Sequence, residues 1–574
     1  MRFTSERVQR AVSRRSSIQR RRVASIASAA IAIVSCDKTI TAPSASLPAI
    51  EASSTDSAAG SWRMLVLTTP DQVVVPDPTA TSSTAYQAEL SSVKAAQAIM
   101  TDAQRTNVQY WTGAGVLRWN EIERELVARY NLPPAPTAAG SYPLPDAENP
   151  FADPVFPFSN PPYASRAYSY VSVAQYEALK AAWYYKYKFN RPAPSKVDPG
   201  VVAAIPASTL PAYPSEDAVL SGVTAEMLKL LFPGALEEIT RKAGQEREAA
   251  ILSGRATASD VAAGLALGKA VAALVINRAR ADGMGAAAGS PVMWKSLSDA
   301  ATAKGEISWL SQELPIRPPL LMNFGSVKAW TMTPAEVTSL EPEPPPSTSS
   351  DQMKADLAEV KKTVDNLTKE QLAIAQKWND GAGTYTPPGH WNAIAAPYIR
   401  DARMSEVRAA RVYALLNIAM HDVSVGCWDS KMKYFNPRPS QLDPSIKTVI
   451  GLPNFPSFPS GHSTYSGAAA TILGSLFPQG AASFDAMADE AGISRMYGGI
   501  HYRSDIVQGK AHGKRIGAWV LNYAQGTAST DRLRPGPGAG TLGSESVGSE
   551  SVGSESVGSE SVDSDPISLF GRAP

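Results

Sequence analysis

The sequence predicts an all-α protein, and three observations predict it. Apolar residues recur at helical spacing, as in Leu357, Val360, Val364 and Leu367, and again in Val412, Leu415, Leu416 and Ala419. Alternating strand patterns are scarce, and the many prolines fall between the helical stretches. The body of the chain also reads as two copies of one helical block, which predicts two four-helix-bundle-like halves. With 574 residues the chain exceeds what one hydrophobic core usually supports, so several units are expected.

The N-terminus reads as an address. Eight arginines and one acid, Glu6, lie in the first 22 residues, and the uncharged stretch Val23 to Ser35 follows. Thirteen residues are too few to span a bilayer, which takes roughly 20, but they suit the apolar region of a signal peptide. The stretch ends in Ile33-Val34-Ser35-Cys36, which resembles a bacterial lipobox. That resemblance implies cleavage before Cys36, lipidation of its thiol and an exported protein of the bacterial cell envelope. The other cysteine is Cys427, so the mature chain has no internal disulfide.

After residues 1–36 comes a Ser/Thr/Ala/Pro-rich stretch, 37–85, expected to be a flexible tether. Residues 86–340 form the N-terminal helical half, 341–352 a Pro-rich linker and 353–530 the C-terminal half. The tail, 531–574, carries Gly-Ser-Glu-Ser-Val four times from Gly543 to Val562. It has too little apolar surface to offset its ordering entropy, so it is expected to be disordered. Without the first 22 residues the charge balance is 46 − 52 = −6. A mildly acidic body argues against a nucleic-acid partner.

The two halves match in order. Trp111-Thr-Gly-Ala-Gly corresponds to Trp378-Asn-Asp-Gly-Ala-Gly, and Arg166 through Ala178 to Arg411 through Val423. Trp183 and Lys186 correspond to Trp428 and Lys431, Leu210 through Ser215 to Phe455 through Ser460, and Ser259 through Lys269 to Ser504 through Lys514. An ancient duplication is the expectation. The copies part where chemistry would sit: Gly461-His462 faces Glu216-Asp217, Arg495 faces Ala250, and His501 faces Ala256. All five histidines, 390, 421, 462, 501 and 512, lie in the second copy, so that half is expected to be the active one.

There the residues make a cradle for an oxyanion. Lys431, Arg438 and Arg495 offer three positive charges, and two guanidinium forks suit tetrahedral oxyanions. Ser460 and Gly461 precede the small-residue run Ser466–Leu473 and would present a hydroxyl and free N–H groups at a helix N-terminus. Asp505 follows His501 by four residues, so on a helix its carboxylate holds one ring nitrogen and leaves the other free. His462 is the remaining titratable group. His390 and His421 read as packing or supporting residues, and His512 as exposed.

This set of residues resembles the type 2 phosphatidic acid phosphatase (PAP2) and vanadium-dependent haloperoxidase superfamily, over roughly residues 100–525. The resemblance implies an all-helical fold and a site for phosphate or its analogue vanadate. It places Lys431, Arg438, Ser460, Gly461 and Arg495 on the oxyanion's oxygens. His501 would be the vanadium ligand or the phosphatase nucleophile, and His462 the acid–base residue. Asp422 resembles an acid that pairs with the second arginine. Trp428 and Phe455 resemble the aromatic pair beside vanadate in chloroperoxidases, which points to the bacterial chloroperoxidase-like branch. The leading expectation is therefore a vanadate-dependent haloperoxidase acting on hydrogen peroxide and halide. The alternative is an acid phosphatase hydrolysing phosphomonoesters through a phosphohistidine. A non-catalytic envelope protein is a third reading. A lipid anchor to the membrane and a homodimer complete the expected partners.

Overall fold

The computed structural model describes residues 49–131, 161–206, 209–312, 316 and 318–525. The signal segment with Cys36, residues 37–48 of the tether and the repeat tail lie outside them.

Among the described residues every regular element is helical. The N-terminal half contains α1 (Thr84–Ala98), α2 (Asp102–Trp111), α3 (Gly115–Tyr130), α4 (Pro161–Phe189), α5 (Pro194–Val197), α6 (Glu216–Leu231), α7 (Leu236–Leu252) and α8 (Ala258–Arg280). Helices α9 (Pro291–Ala303) and α10 (Pro334–Ser339) lie on the way to the C-terminal half. That half contains α11 (Asp351–Asp365), α12 (Lys369–Lys377), α13 (Thr386–Asp401), α14 (Glu406–Tyr434), α15 (Pro439–Leu442), α16 (Gly461–Leu476), α17 (Ala481–Tyr497) and α18 (Arg503–Gln525).

The two series run in parallel. Helices α4 to α8 have the lengths of α14 to α18, and each C-terminal helix starts 245 residues later: 161 and 406, 194 and 439, 216 and 461, 236 and 481, 258 and 503. The cis peptide bonds keep the same offset, Tyr213–Pro214 and Phe458–Pro459.

At the centre α4 packs on α14, flanked by the pairs α6–α8 and α16–α18. Both 29-residue helices are buried over most of their length, which fits apolar and small residues all round rather than on one stripe. The close pairs depend on glycine. A Cβ at Gly268 would fall 2.3 Å from the Val219 carbonyl oxygen, and one at Gly513 would fall 2.1 Å from that of Thr464. The stretch Ala258–Ala286 is long and apolar enough to cross a membrane, but its close approach to α6 makes it a bundle helix.

The halves are not separately cored. One apolar cluster runs from Ala59 to Val520 and takes in both central helices. Polar groups cross the same interface: Ser165 and Ser424 share a hydrogen bond of 2.7 Å, and Asn120 Nδ2 donates to Asn392 Oδ1 at 2.8 Å.

Residues 49–83 are not a loose tether. The backbone N–H groups of Leu65, Val66 and Leu67 donate to the Glu177 carboxylate at 3.0, 2.9 and 2.9 Å. Trp183 Nε1 donates to the Thr55 carbonyl, and Trp62, Leu67 and Val75 are buried. Their hydroxyl-rich composition suggested a solvated chain, but a buried carboxylate and a few large apolar side chains hold it down. The Pro-rich linker is likewise pinned, since Arg515 donates to the Glu341 carbonyl and Lys433 pairs with the Glu341 side chain.

Candidate active site

Five pieces of chain build the site: the C-terminal end of α14, the loop into α15, the N-terminus of α16, the last turn of α17 and the turn into α18. Lys431, on the last turn of α14, is fully buried and donates to the carbonyls of Pro456, Ser457 and Pro459 at 2.8, 2.8 and 2.6 Å. It thereby shapes the turn that delivers Ser460. Ser460 is the N-cap of α16, its hydroxyl accepting from the Ser463 N–H. Gly461 follows as the first helical residue. A Cβ there would meet only Tyr465 Cε2, at 3.9 Å, so open space lies beside its Cα.

His501 joins these pieces. Its Nδ1 lies 2.8 Å from Asp505 Oδ2, and its Nε2 lies 3.0 Å from Arg438 Nη1. A guanidinium only donates, so Nε2 is the acceptor and the ring proton sits on Nδ1, given to Asp505. Ser457 adds a hydrogen bond of 2.5 Å to the same Asp505 oxygen. Arg438 also donates to the carbonyls of Phe455 and Ile500. Phe455 lies under both cations, 5.1 Å from Lys431 Nζ and 5.2 Å from Arg438 Cζ, with Trp428 5.1 Å away ring to ring. The aromatic pair dries that side of the cradle.

Arg495, on α17, donates to Ser494 Oγ and to the carbonyls of Ala375 and Asn379. His462, on the first turn of α16, has its Nε2 3.6 Å from Asp380 Oδ2, and His390 Nδ1 bonds the same carboxylate at 3.1 Å. His390 is stacked on Trp378, 4.4 Å between ring centroids. Asp380 itself has φ of 46°, a left-handed conformation that aspartate tolerates better than most residues.

Charge is unbalanced here. Among the described residues no carboxylate comes within ion-pair distance of Lys431, Arg438 or Arg495, and all three are buried. Burial pulls Arg438 and Arg495 down to about 10, which still leaves both charged at neutral pH, and pulls Lys431 down to about 7, so its ammonium is only partly charged there. Burial and then the Arg438, Lys431 and Arg495 charges hold His501 well below the usual imidazole range. Burial and Arg495 lower His462 to about 4, against the opposing pull of Asp380. Both imidazoles are therefore neutral at pH 7. Burial disfavours a charged Asp380, but the imidazoles of His390 and His462 hold it well below the usual carboxylate range.

Asp422 has a different place from the one expected. It accepts from the N–H groups of Trp330 and Thr331 at 2.7 and 2.9 Å, and makes no pair with Arg495. Glu177 does the same for residues 65–67 one half earlier, so this position clamps a passing segment onto the central helix. The acid whose charge acts on Arg495 is Asp380. His421 is buried against Phe324, and His512, expected at the surface, is fully buried beside Gly426. Asp380 and Ser457 escaped sequence reading because each works through a turn far from its partner. The signal for Asp380 was its place in the Trp378-Asn-Asp-Gly-Ala-Gly match.

Residues 409–528 match the family model described as the PAP2 superfamily. This chain carries a PAP2-superfamily domain. The fold is that of a solved bacterial vanadium-dependent iodoperoxidase, at a TM-score of 0.53 and 23% identity, over 72% of this chain and 97% of that one. Two curated relatives are lipid A 1-phosphatases. The Rhizobium johnstonii protein is 45% identical over 75 residues, 13% of this chain and 29% of its own. The Rhizobium etli protein is 46% identical over 69 residues, 12% and 30%. The chain thus spans less than a third of the curated relatives' length. Members of the superfamily are enzymes, phosphatases or haloperoxidases, and the matched segment contains Lys431, Arg438, Ser460, Gly461, His462, Arg495 and His501.

Proposed function

We propose that this protein is a vanadate-dependent haloperoxidase that oxidises halide with hydrogen peroxide. One observation carries the reading: two buried, charged guanidiniums, Arg438 and Arg495, have no carboxylate within ion-pair distance, and Arg438 lies 3.0 Å from the acceptor nitrogen of a neutral histidine. Burying charge without compensation costs several kcal/mol per ion. An oxyanion supplies the missing charge, and the donor set fits one. Arg438, Arg495, Ser460 and the N–H of Gly461 would hold vanadate, with His501 Nε2 as its direct ligand, while Lys431, whose three N–H groups go to carbonyls, would contribute through its charge and by shaping the turn. When bound, vanadate supplies the Lewis acidity that activates peroxide.

The chain's own residues do the rest. Asp505 and Ser457 fix the His501 ring so that Nε2 faces the cradle. Asp380, ionised and 3.6 Å from His462 Nε2, raises the proton affinity of that ring, whose neutral form would accept and return a proton. Trp428 and Phe455 exclude water from one wall. The likeness to an iodoperoxidase over nearly its whole length supports the haloperoxidase reading.

The phosphatase reading is favoured by the 45% and 46% identity to lipid A 1-phosphatases over 75 and 69 residues. There His501 Nε2 would attack phosphorus, and His462 would protonate the departing alcohol. The N-terminal half is read as a duplicate that lost these residues, and Cys36 as a lipid anchor at the cell envelope.

The test uses the full chain stripped of bound oxyanion, assayed for bromide and iodide oxidation and for phosphomonoester hydrolysis, with and without orthovanadate. Halide oxidation that appears only with vanadate, and loss of vanadate binding in His501→Ala, are expected. Hydrolysis suppressed by vanadate, with no halide oxidation, would replace the haloperoxidase reading by the phosphatase one.

A further inference from the structure

The N-terminal half keeps the frame of the cradle. Ser215 caps α6 as Ser460 caps α16, and its N–H donates to the Asp260 carbonyl at 3.0 Å, as that of Ser460 donates to Asp505 at 3.0 Å. Lys186 occupies the place of Lys431 on the central helix, fully buried, and donates to the carbonyl of Pro211 at 2.6 Å. Arg191 pairs with Asp260 at 2.8 Å. A further guanidinium, Arg255, reaches in from the turn after α7.

What differs is the first residue of the helix. Where α16 has Gly461 and open space, α6 has Glu216. Its carboxylate is 2.6 Å from Lys186 Nζ and paired with Arg255. A buried carboxylate at a helix N-terminus, between a lysine and an arginine, has the charge and the position of a bound oxyanion. Next to it Asp217 Oδ1 and Arg255 Nη1 are buried without a hydrogen-bond partner, and Asp217 is 4% exposed. The group is also reachable. Glu216 and Arg255 line a cavity of about 520 Å³, together with Trp183, Leu210, Ser195 and Glu406.

We propose that the N-terminal half contains a second oxyanion cradle, closed by its own Glu216 carboxylate, which takes a tetrahedral oxyanion such as phosphate or vanadate once that carboxylate is removed. The inference rests on reading Lys431, Arg438, Ser460 and Gly461 as an oxyanion cradle. It explains how this half keeps buried cations without depending on a ligand. Replacing Glu216 leaves Lys186 short of an anion and Arg255 with only its 3.8 Å pair to Asp217, and it opens the helix N-terminus towards the cavity.

The experiment counts inorganic phosphate bound per full chain by calorimetry, for wild type, Glu216→Gly and Glu216→Gly with Lys186→Met. Glu216→Gly is expected to bind one equivalent more than wild type, and the lysine substitution is expected to remove it. Thermal melts with and without phosphate run beside it, and phosphate should raise the midpoint of Glu216→Gly more than that of wild type. A folded Glu216→Gly that binds no more phosphate than wild type overturns the proposal. So does a wild type that already binds two equivalents. If Glu216→Gly melts without cooperativity, Glu216→Ala takes its place, and failure of phosphate to restore folding in both also counts against it. A wild type that binds none, with one gained in Glu216→Gly, removes the C-terminal reading while leaving the second cradle standing.

Discussion

Replacing Asp380 by Asn isolates what the acid beside His462 contributes. The substitution keeps size and removes charge at a group 3.6 Å from His462 Nε2. At an effective dielectric of about 20, a unit charge pair at that separation is worth about 4 to 5 kcal/mol, roughly three pKa units. Arg495 offsets part of this, so a downward move of one to three units is the working range, on the order of 10- to 1000-fold in proton affinity. The sign is fixed by the structure. Burial and Arg495 already take His462 to about 4, with Asp380 pulling the other way. Without Asp380 the imidazole becomes a weaker base, and turnover at pH 7 is expected to fall by about 100-fold. The acidic limb of the pH–rate profile should move to lower pH. A ring-carbon NMR titration of His462 reads the same shift independently of turnover. A His462 that titrates at the same pH or higher in Asp380→Asn would refute the assignment of Asp380 as the residue that positions and charges it.

Two further outcomes concern stability. Glu177→Gln should cost about 2 to 4 kcal/mol, because three backbone N–H groups lose a charged acceptor and Lys180 loses its 2.6 Å partner. Urea denaturation and limited proteolysis at residues 60–75 check it, and an unchanged midpoint with no new cleavage would contradict the clamp. The buried histidines also predict acid sensitivity. Burial lowers His462 to about 4 and His512 to about 3, below the unfolded value of about 6.5. The unfolded chain therefore binds more protons in that window, and stability is fully present above about pH 6.5 and lost as pH falls towards these values. A denaturation midpoint that stays constant from pH 7 to pH 4 would show that neither ring is buried neutral.

Much of this molecule was readable in its sequence, for a physical reason. Lys431, Arg438, Ser460, Gly461, Arg495, His501 and Asp505 fall at helix ends and turns, which spacing reports, but reading them as one site came from their order along the chain and its resemblance to a known superfamily. Asp380 and Ser457 act across turns, where no periodicity reports direction. Asp422 was misread because a buried acid on the central helix has two uses, pairing with arginine or capturing a backbone. Residues 330–331, which decide between them, lie about ninety residues away. Residues 49–83 misled by composition, since serine and threonine say little about a chain whose order comes from one distant carboxylate.

The shared core has a consequence for how this protein is inherited and handled. The face of α14 that meets α4 carries Asn417 and Ser424, whose partners Ser172 and Ser165 belong to the other half. Cut at the Pro-rich linker, each fragment would present a long apolar wall and stranded polar groups to water. The PAP2 segment, 409–528, is therefore a unit of sequence but not of folding. Selection on the N-terminal half can act through solubility and cooperativity alone, and such selection would retain it whether or not it carries chemistry of its own.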